Sequence, residues 1–325
     1  MPAPPAAGNK LAWLTASQAA TAIQSGALGS LELVEALLAR IKTHNPALNA
    51  IIMLDAESAR RQAQAADKAL QRGLPAGALH GVPITIKDSF ETAGLKTVSG
   101  YPPFADHIPS TDAPPVAHLR QAGAIILGKT NLPTLASGIQ TDNPVFGRTN
   151  NPWDLARTPG GSSGGAAAAV AAGLSCLDLG SDIGGSIRIP AHFCGIYGLK
   201  TTGGRISGRG HLASPRPLAM PAGWAPLLQM AAFGPLARSV ADLRLALTVL
   251  NGLDSPALDP PPGRAMPELR LAWSEDFGGT PLDSASRGCL RKLVRTLERA
   301  GCHVERQEAS VDYDEAWYVS GVCLA

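Results

Sequence analysis

The sequence predicts an α/β fold built on a mostly buried sheet. Two observations carry this. Segments with strand spacing alternate with segments of helical spacing along the chain. The segments 124–127 and 174–179 also read as short buried strands, of the kind that helices cover on both faces.

The elements follow in order. Ser30 reads as the cap of a helix to about residue 43, with Val34, Leu37, Leu38 and Ile41 on one face. Residues 56–72 form an alanine-rich helix that Gly73 ends. In 81–87 the period changes. Val82, Ile84 and Ile86 fall on one face, Thr85 and Lys87 on the other, which is strand spacing. A helix over 116–122 leads into the strand 124–127. Residues 141–165 hold little regular structure and end in a run of glycines and serines. A helix of small residues, 166–172, precedes the strand 174–179. Residues 181–204 read as glycine-punctuated loop, and 215–226 as a proline-rich loop. A helix over 240–250 has Ser239 as its cap. The stretch 254–267 is linker-like, and a β-α-β pattern follows it at 269–273, 284–300 and 303–306.

Composition narrows the class. At ~100–200 residues per domain, the 325 residues make one large domain or two ordinary ones. Apolar residues are 45% and charged residues 17%, enough for a sizeable core and an argument against a disordered chain. Glycine (35) and proline (27) exceed average usage, so tight turns and close backbone approaches are expected. The net charge of +2, with no long basic run, gives no case for a nucleic-acid partner, and none is expected. Five cysteines without CxxC spacing argue against a disulfide framework or a zinc site and for buried reduced thiols. Residues 1–10 lack the pattern of a signal peptide, and no apolar run approaches the ~20 residues that span a bilayer. The expected protein is soluble and cytoplasmic.

Two common motifs occur without their context. Gly123 to Thr130 matches the phosphate-loop pattern G-x4-G-K-T. Its insert, Ala-Ile-Ile-Leu, wants to be a strand, and Asn131-Leu132-Pro133 is an awkward helix start. It reads as a buried strand ending in a glycine turn. Gly160-Gly161-Ser162-Ser163-Gly164 matches the nucleophile elbow G-x-S-x-G, but no strand precedes it.

A larger composite explains both. Gly160-Gly161-Ser162-Ser163-Gly164-Gly165 is followed by a small-residue helix, a buried strand and a second serine loop, Gly180-Ser181-Asp182-Ile183-Gly184-Gly185-Ser186-Ile187-Arg188. Glycine before serine lets backbone N–H groups turn inward, as an oxyanion hole requires. This composite resembles the amidase signature family of serine hydrolases. Gly81 to Asp88, Gly128-Lys129-Thr130-Asn131, Asn151-Pro152-Trp153-Asp154 and Gly234 to Asp242 extend the resemblance, which is most specific over 81–242.

The resemblance implies a single amidase domain over 1–325, with a central mixed β-sheet flanked by helices on both sides. It implies Ser186 as nucleophile, Lys87 as general base, and Ser162, after a non-proline cis peptide bond, as the relay between them. The N–H groups of Ile183, Gly184, Gly185 and Ser186 would form the oxyanion hole. Ser163, Asp182 and Arg188 would support the loops. The reaction would be hydrolysis of a small-molecule carboxylic amide through an acyl-enzyme, with no metal or organic cofactor.

The lysine's chemistry fits this role. A free lysine is protonated at pH 7 and becomes a base only when burial strips its solvent. Lys87 ends an apolar strand, and alternation turns its neighbour Asp88 to the opposite face. Two departures from the family pattern stand out: Ser181 where threonine is usual, and Thr201 where proline usually follows Lys200.

Two other readings remain beside this one. An amidotransferase component would pass ammonia to a partner, but residues 211–233 do not resemble that component's characteristic run. A truncated, inactive remnant is suggested by residues 317–325, which look like the middle of an apolar helix. On that reading the C-terminal part of the fold is missing after 325. Self-association as a homodimer is left open.

Overall fold

In a computed structural model of the chain, the described residues are 10–75, 77–212, 230–251, 265–275, 278–308 and 310–316. They carry helices α1 (Ala16–Gln24), α2 (Ser30–Leu48), α3 (Ala56–Gln71), α4 (Pro114–Gln121), α5 (Gly164–Ala171), α6 (Arg188–Cys194), α7 (Val240–Leu250) and α8 (Ser284–Arg299). The strands are β1 (Ile51–Leu54), β2 (Pro83–Lys87), β3 (Ile125–Thr130), β4 (Leu177–Asp182), β5 (Tyr197–Gly198), β6 (Ala232–Ala237), β7 (Arg270–Trp273) and β8 (His303–Arg306). The chain divides into two compact units, Met1–Pro221 with Leu228–Pro256, and Ala222–Leu227 with Ala257–Ala325. The break after Pro256 falls inside the linker-like stretch 254–267, of which 254–264 lie outside the described residues. So do 213–229 and 317–325, which held the proline-rich loop and the apolar end.

The first unit is a six-stranded mixed sheet in the order β1-β3-β2-β4-β6-β5. β2 runs parallel to β3 and β4, while β1, β6 and β5 pair antiparallel to their neighbours. β2, β3, β4 and β6 are buried at every position, so both faces are covered. Val82, Ile84 and Ile86 are fully buried, each adding about 1.5–3 kcal/mol of apolar burial.

Local chemistry sets the boundaries. α1 starts on a capping box between Thr15 and Gln18. Ser30 is the first residue of α2 rather than its cap. The N–H groups of Ser30 and Leu31 instead donate to the Asp67 carboxylate of α3, at 2.6 and 3.1 Å. This carboxylate satisfies two orphan donors and opposes the helix dipole. α2 runs past residue 43 to Leu48, with Pro46 near its end and Asn49 in the left-handed conformation after it. Ser239 caps α7 as expected, accepting from the Asp242 N–H at 3.1 Å.

Several elements differ from the sequence reading: α1 and β1 have no counterpart in it, and β4 runs Leu177–Asp182 rather than 174–179. β3 does not end in a turn at Gly128. It continues through Lys129 and Thr130, and a bulge lies between its pairings with Ile84 and Thr85. A Cβ at Gly128 would lie 1.9 Å from the Met53 carbonyl oxygen of β1, so glycine lets the two strands meet. The supposed loop 181–204 contains α6 and β5. Pro190 falls in the first turn of α6, where its missing N–H costs nothing. β6 carries Gly234 and Pro235, which hide it from a strand pattern.

Two arginines fix the C-terminal end of α5. Arg40 donates to the Ala172 carbonyl at 2.6 Å. Arg238 donates to the carbonyls of Val170 and Ser175, at 2.9 and 2.7 Å, and to that of Leu14. Both lie over the ring of Trp13. They satisfy carbonyls that the helix end leaves open.

The second unit has β7 and β8 paired in parallel, Arg270 opposite His303, with α8 between them in sequence. Asp283 caps α8 through the N–H groups of Ala285 and Ser286. Cys176, Cys194 and Cys302 are buried free thiols, whereas Cys289 is exposed. Among the described residues no helix is long and apolar enough to cross a membrane.

Candidate active site

Lys87 is the last residue of β2 and is wholly buried. Its Nζ donates to three hydroxyls: Ser162 Oγ at 2.7 Å, Ser181 Oγ at 2.9 Å and Ser163 Oγ at 3.0 Å. Two of these lie in the loop that opens α5, and Ser181 lies on β4. Among the described residues no carboxylate pairs with Lys87 directly. Burial pushes its ammonium down to about 7, against the opposing pull of Asp178 and Asp182.

The loop before α5 is held from behind. The Gly161–Ser162 peptide bond is cis. Thr141 Oγ1 donates to the Gly160 carbonyl at 2.8 Å. A Cβ at Gly165 would lie 2.3 Å from the Asn131 backbone nitrogen, so α5 starts against β3 only because glycine stands there. The Ser163 N–H donates to the Ser186 carbonyl at 3.0 Å and joins the two serine loops. The Ser163 hydroxyl in turn donates to the Ser181 carbonyl at 3.3 Å.

Ser186 is half-buried, in the turn between β4 and α6. Its hydroxyl has no hydrogen-bond partner among the described residues, and Ser162 Oγ does not contact it directly. Asp182 organises the turn. Its carboxylate accepts from the N–H groups of Gly185 (2.9 Å), Ile187 (3.0 Å) and Arg188 (3.3 Å). It also takes a two-pronged contact from the Arg188 guanidinium at 3.0 and 2.8 Å. Burial alone would raise this carboxyl, but Arg188 and the backbone donors win and hold it at about 2.

The Gly185 N–H, expected in the oxyanion hole, donates to Asp182 Oδ1 at 2.9 Å. The N–H groups of Ile183, Gly184 and Ser186 have no acceptor among the described residues.

The Gly-Lys-Thr run is structural. Lys129 is wholly buried and donates to the Phe90 carbonyl (2.7 Å) and Thr97 Oγ1 (3.0 Å). Its Nζ lies 3.4 Å from Asp88 Oδ1. Burial lowers Lys129 and raises Asp88 to about 6, each opposed by the attraction of the other. Asp88 does turn away from Lys87, accepting from the N–H groups of Val98 and Ser99. Thr201, in the place of the usual proline, ties its turn by donating to the Phe233 carbonyl at 2.8 Å.

The family model described as Amidase matches residues 32–320. The chain belongs to the amidase family. Its sequence is 41% identical over 312 residues to an indoleacetamide hydrolase of Bradyrhizobium diazoefficiens, covering 93% of this chain and 57% of that protein. It is 42% identical over 269 residues to one of the subunits of a glutamyl-tRNA(Gln) amidotransferase from Roseiflexus, covering 82% of this chain and 52% of that one. The chain thus spans about half the length of these curated relatives. Among solved structures, a fatty acid amide hydrolase superposes with a TM-score of 0.82 at 30% identity, over 93% of this chain and 53% of that one. A peptide amidase superposes at 0.80 with 32% identity, over 94% of this chain and 64% of that one. The mixed sheet with its helices is therefore the amidase fold.

Two parts of this candidate site are not legible in the sequence alone. Ser181 stood out only as a departure from the family pattern, yet it is the third partner of Lys87. Asp178 reads in the sequence only as a residue of a buried strand. It is fully buried on β4, and its Oδ2 accepts from Thr85 Oγ1 (2.5 Å) and Thr130 Oγ1 (3.1 Å). The usable signal was the alternation that places Thr85 on the face of Lys87.

Proposed function

We propose that the chain hydrolyses a linear carboxylic amide to the acid and ammonia or an amine, through an acyl-enzyme on Ser186. The observation that carries this reading is the buried Lys87 Nζ, 2.7 Å from Ser162 Oγ and without a carboxylate partner of its own. A hydroxyl needs a base before it attacks a carbonyl, and a desolvated lysine is free amine in part at pH 7.

In the first step Ser186 Oγ attacks the amide carbonyl and its proton passes through Ser162 to Lys87. The Ser162–Ser186 contact closes as substrate binds, since catalytic hydrogen bonds in unliganded sites are often long. The N–H groups of Ile183, Gly184 and Ser186 hold the developing oxyanion. The proton then returns through Ser162 to the leaving nitrogen as the C–N bond breaks. Water, deprotonated along the same path, cleaves the ester and restores Ser186. Ser163, Asp182 and Arg188 keep the two loops in register.

The test is covalent labelling with a fluorophosphonate, in which Ser186 Oγ bonds to phosphorus and fluoride leaves. Wild-type protein should be labelled, and Ser186→Ala should not. Equal labelling of the two would reject Ser186. The likeness to the glutamyl-tRNA(Gln) amidotransferase favours a second reading, in which the ammonia released passes to a partner. Amide hydrolysis by the isolated chain, with free ammonia as product, would support the first reading over it.

A further inference from the structure

The buried charges around the site pair off until two remain. Lys129 of β3 lies 3.4 Å from Asp88. Asp182 at the end of β4 is matched by Arg188 at 2.8 Å. His211 sits between the rings of Phe90 and Phe233, with centroids 4.9 Å from each. Burial and the nearby Lys87 push it down to about 3, so it is neutral. α5 and β6, which pack against these strands, contribute no titratable side chain. Only Lys87 and Asp178 are left, on adjacent strands whose register pairs Thr85 with Asp178.

Asp178 is fastened from two sides. The hydroxyls of Thr85 on β2 and Thr130 on β3 both bind its Oδ2. Its Oδ1 is buried and has no hydrogen-bond partner. A buried polar atom left unpaired is costly unless a charge nearby offsets it. Burial raises the Asp178 carboxyl to about 7, opposed by the hydroxyls of Thr85 and Thr130 and by the attraction of Lys87 and Lys129, and Lys129 already has Asp88.

We propose that Asp178 is a positioning residue for the base: its carboxylate, fixed through Thr85 and Thr130, is the counter-charge that stabilises Lys87 as the ammonium formed when it accepts the serine proton. Without such a charge, proton transfer would create a lone cation in a dry site. This inference rests on the reading of Lys87 as the base.

The experiment follows fluorophosphonate labelling of Ser186 across pH in wild type, Asp178→Asn and Lys87→Met. Asp178→Asn keeps the shape of the side chain and an oxygen for the two threonines but removes the charge. The expected result is an acidic limb moved down by about one pH unit and a plateau about tenfold slower. A merely structural Asp178 would lower thermal stability and leave the limb in place, which would overturn the inference alone. Wild-type rates in Lys87→Met would overturn the reading of the base, and the inference with it. If Asp178→Asn does not fold, the coupling is read from the other side, because it is reciprocal. By carbon-13 NMR, the Asp178 carboxyl should protonate at higher pH in Lys87→Met than in wild type. An unchanged titration would overturn the inference.

Discussion

Lys87 and Ser162 are 75 residues apart in sequence, yet the lysine nitrogen lies 2.7 Å from the serine oxygen with both side chains buried. The sheet accounts for this meeting. β2 ends at Lys87, β4 lies beside it, and α5 returns the serine loop over the ends of these strands.

A first consequence is a pH dependence of defined sign. On the proposed mechanism Lys87 is a base only as free amine, and its burial sets the change at about 7. Labelling of Ser186 should rise as pH increases through that value and level off about one to two units above it. Initial rates across this range check it. A rate that fell with rising pH would contradict a lysine base.

The Asp182–Arg188 pair predicts a separate effect on stability. The Asp182 carboxyl is held at about 2, below its usual 3.8. Its contribution is therefore complete above pH 3.8 and is lost as pH falls through 2. It amounts to about 1–2 kcal/mol, discounted because Arg188 is half exposed and screened by solvent. Arg188→Met should lower the thermal midpoint and slow Ser186 labelling, because the turn that carries Gly185 and Ser186 loses its brace. Calorimetry at several pH values measures the first effect.

Lys129 and Asp88 should behave as a buried pair. Lys129→Met leaves the Asp88 carboxylate without its cation and should cost about 3–5 kcal/mol. The double variant Lys129→Met/Asp88→Asn should recover part of that loss. A double-mutant cycle by urea unfolding reads the coupling. Additive losses would show that the two are not paired.

Gly128→Ala tests the close approach of β1 to β3. The new Cβ would lie 1.9 Å from the Met53 carbonyl oxygen. The strands must part, so a loss of about 1–3 kcal/mol or more is expected in thermal unfolding. A variant as stable as wild type would mean that this contact is looser than described.

The helices and buried strands were legible where periodicity was clean, as in β2, α3, α7 and α8. The serine loops and Lys87 were legible because three separate glycine-flanked motifs coincide in one chain. Elements with awkward residues were hidden: β6 by Gly234 and Pro235, α6 by Pro190, β3 by Gly128 in mid-strand. Partnerships set only by tertiary packing were hidden too. Nothing local to Asp67 announces that it caps α2, and nothing local to Gly185 shows that Asp182 takes its N–H.

The helix that follows the first serine loop contains only glycine, alanine and valine, and all eight of its positions are buried. An alanine scan would pass over most of it in silence, since there is almost no side chain to remove. Its contribution becomes visible only when residues are made larger. A survey of this protein that truncates side chains would therefore undercount the very segment that holds Ser162 and Ser163 in place.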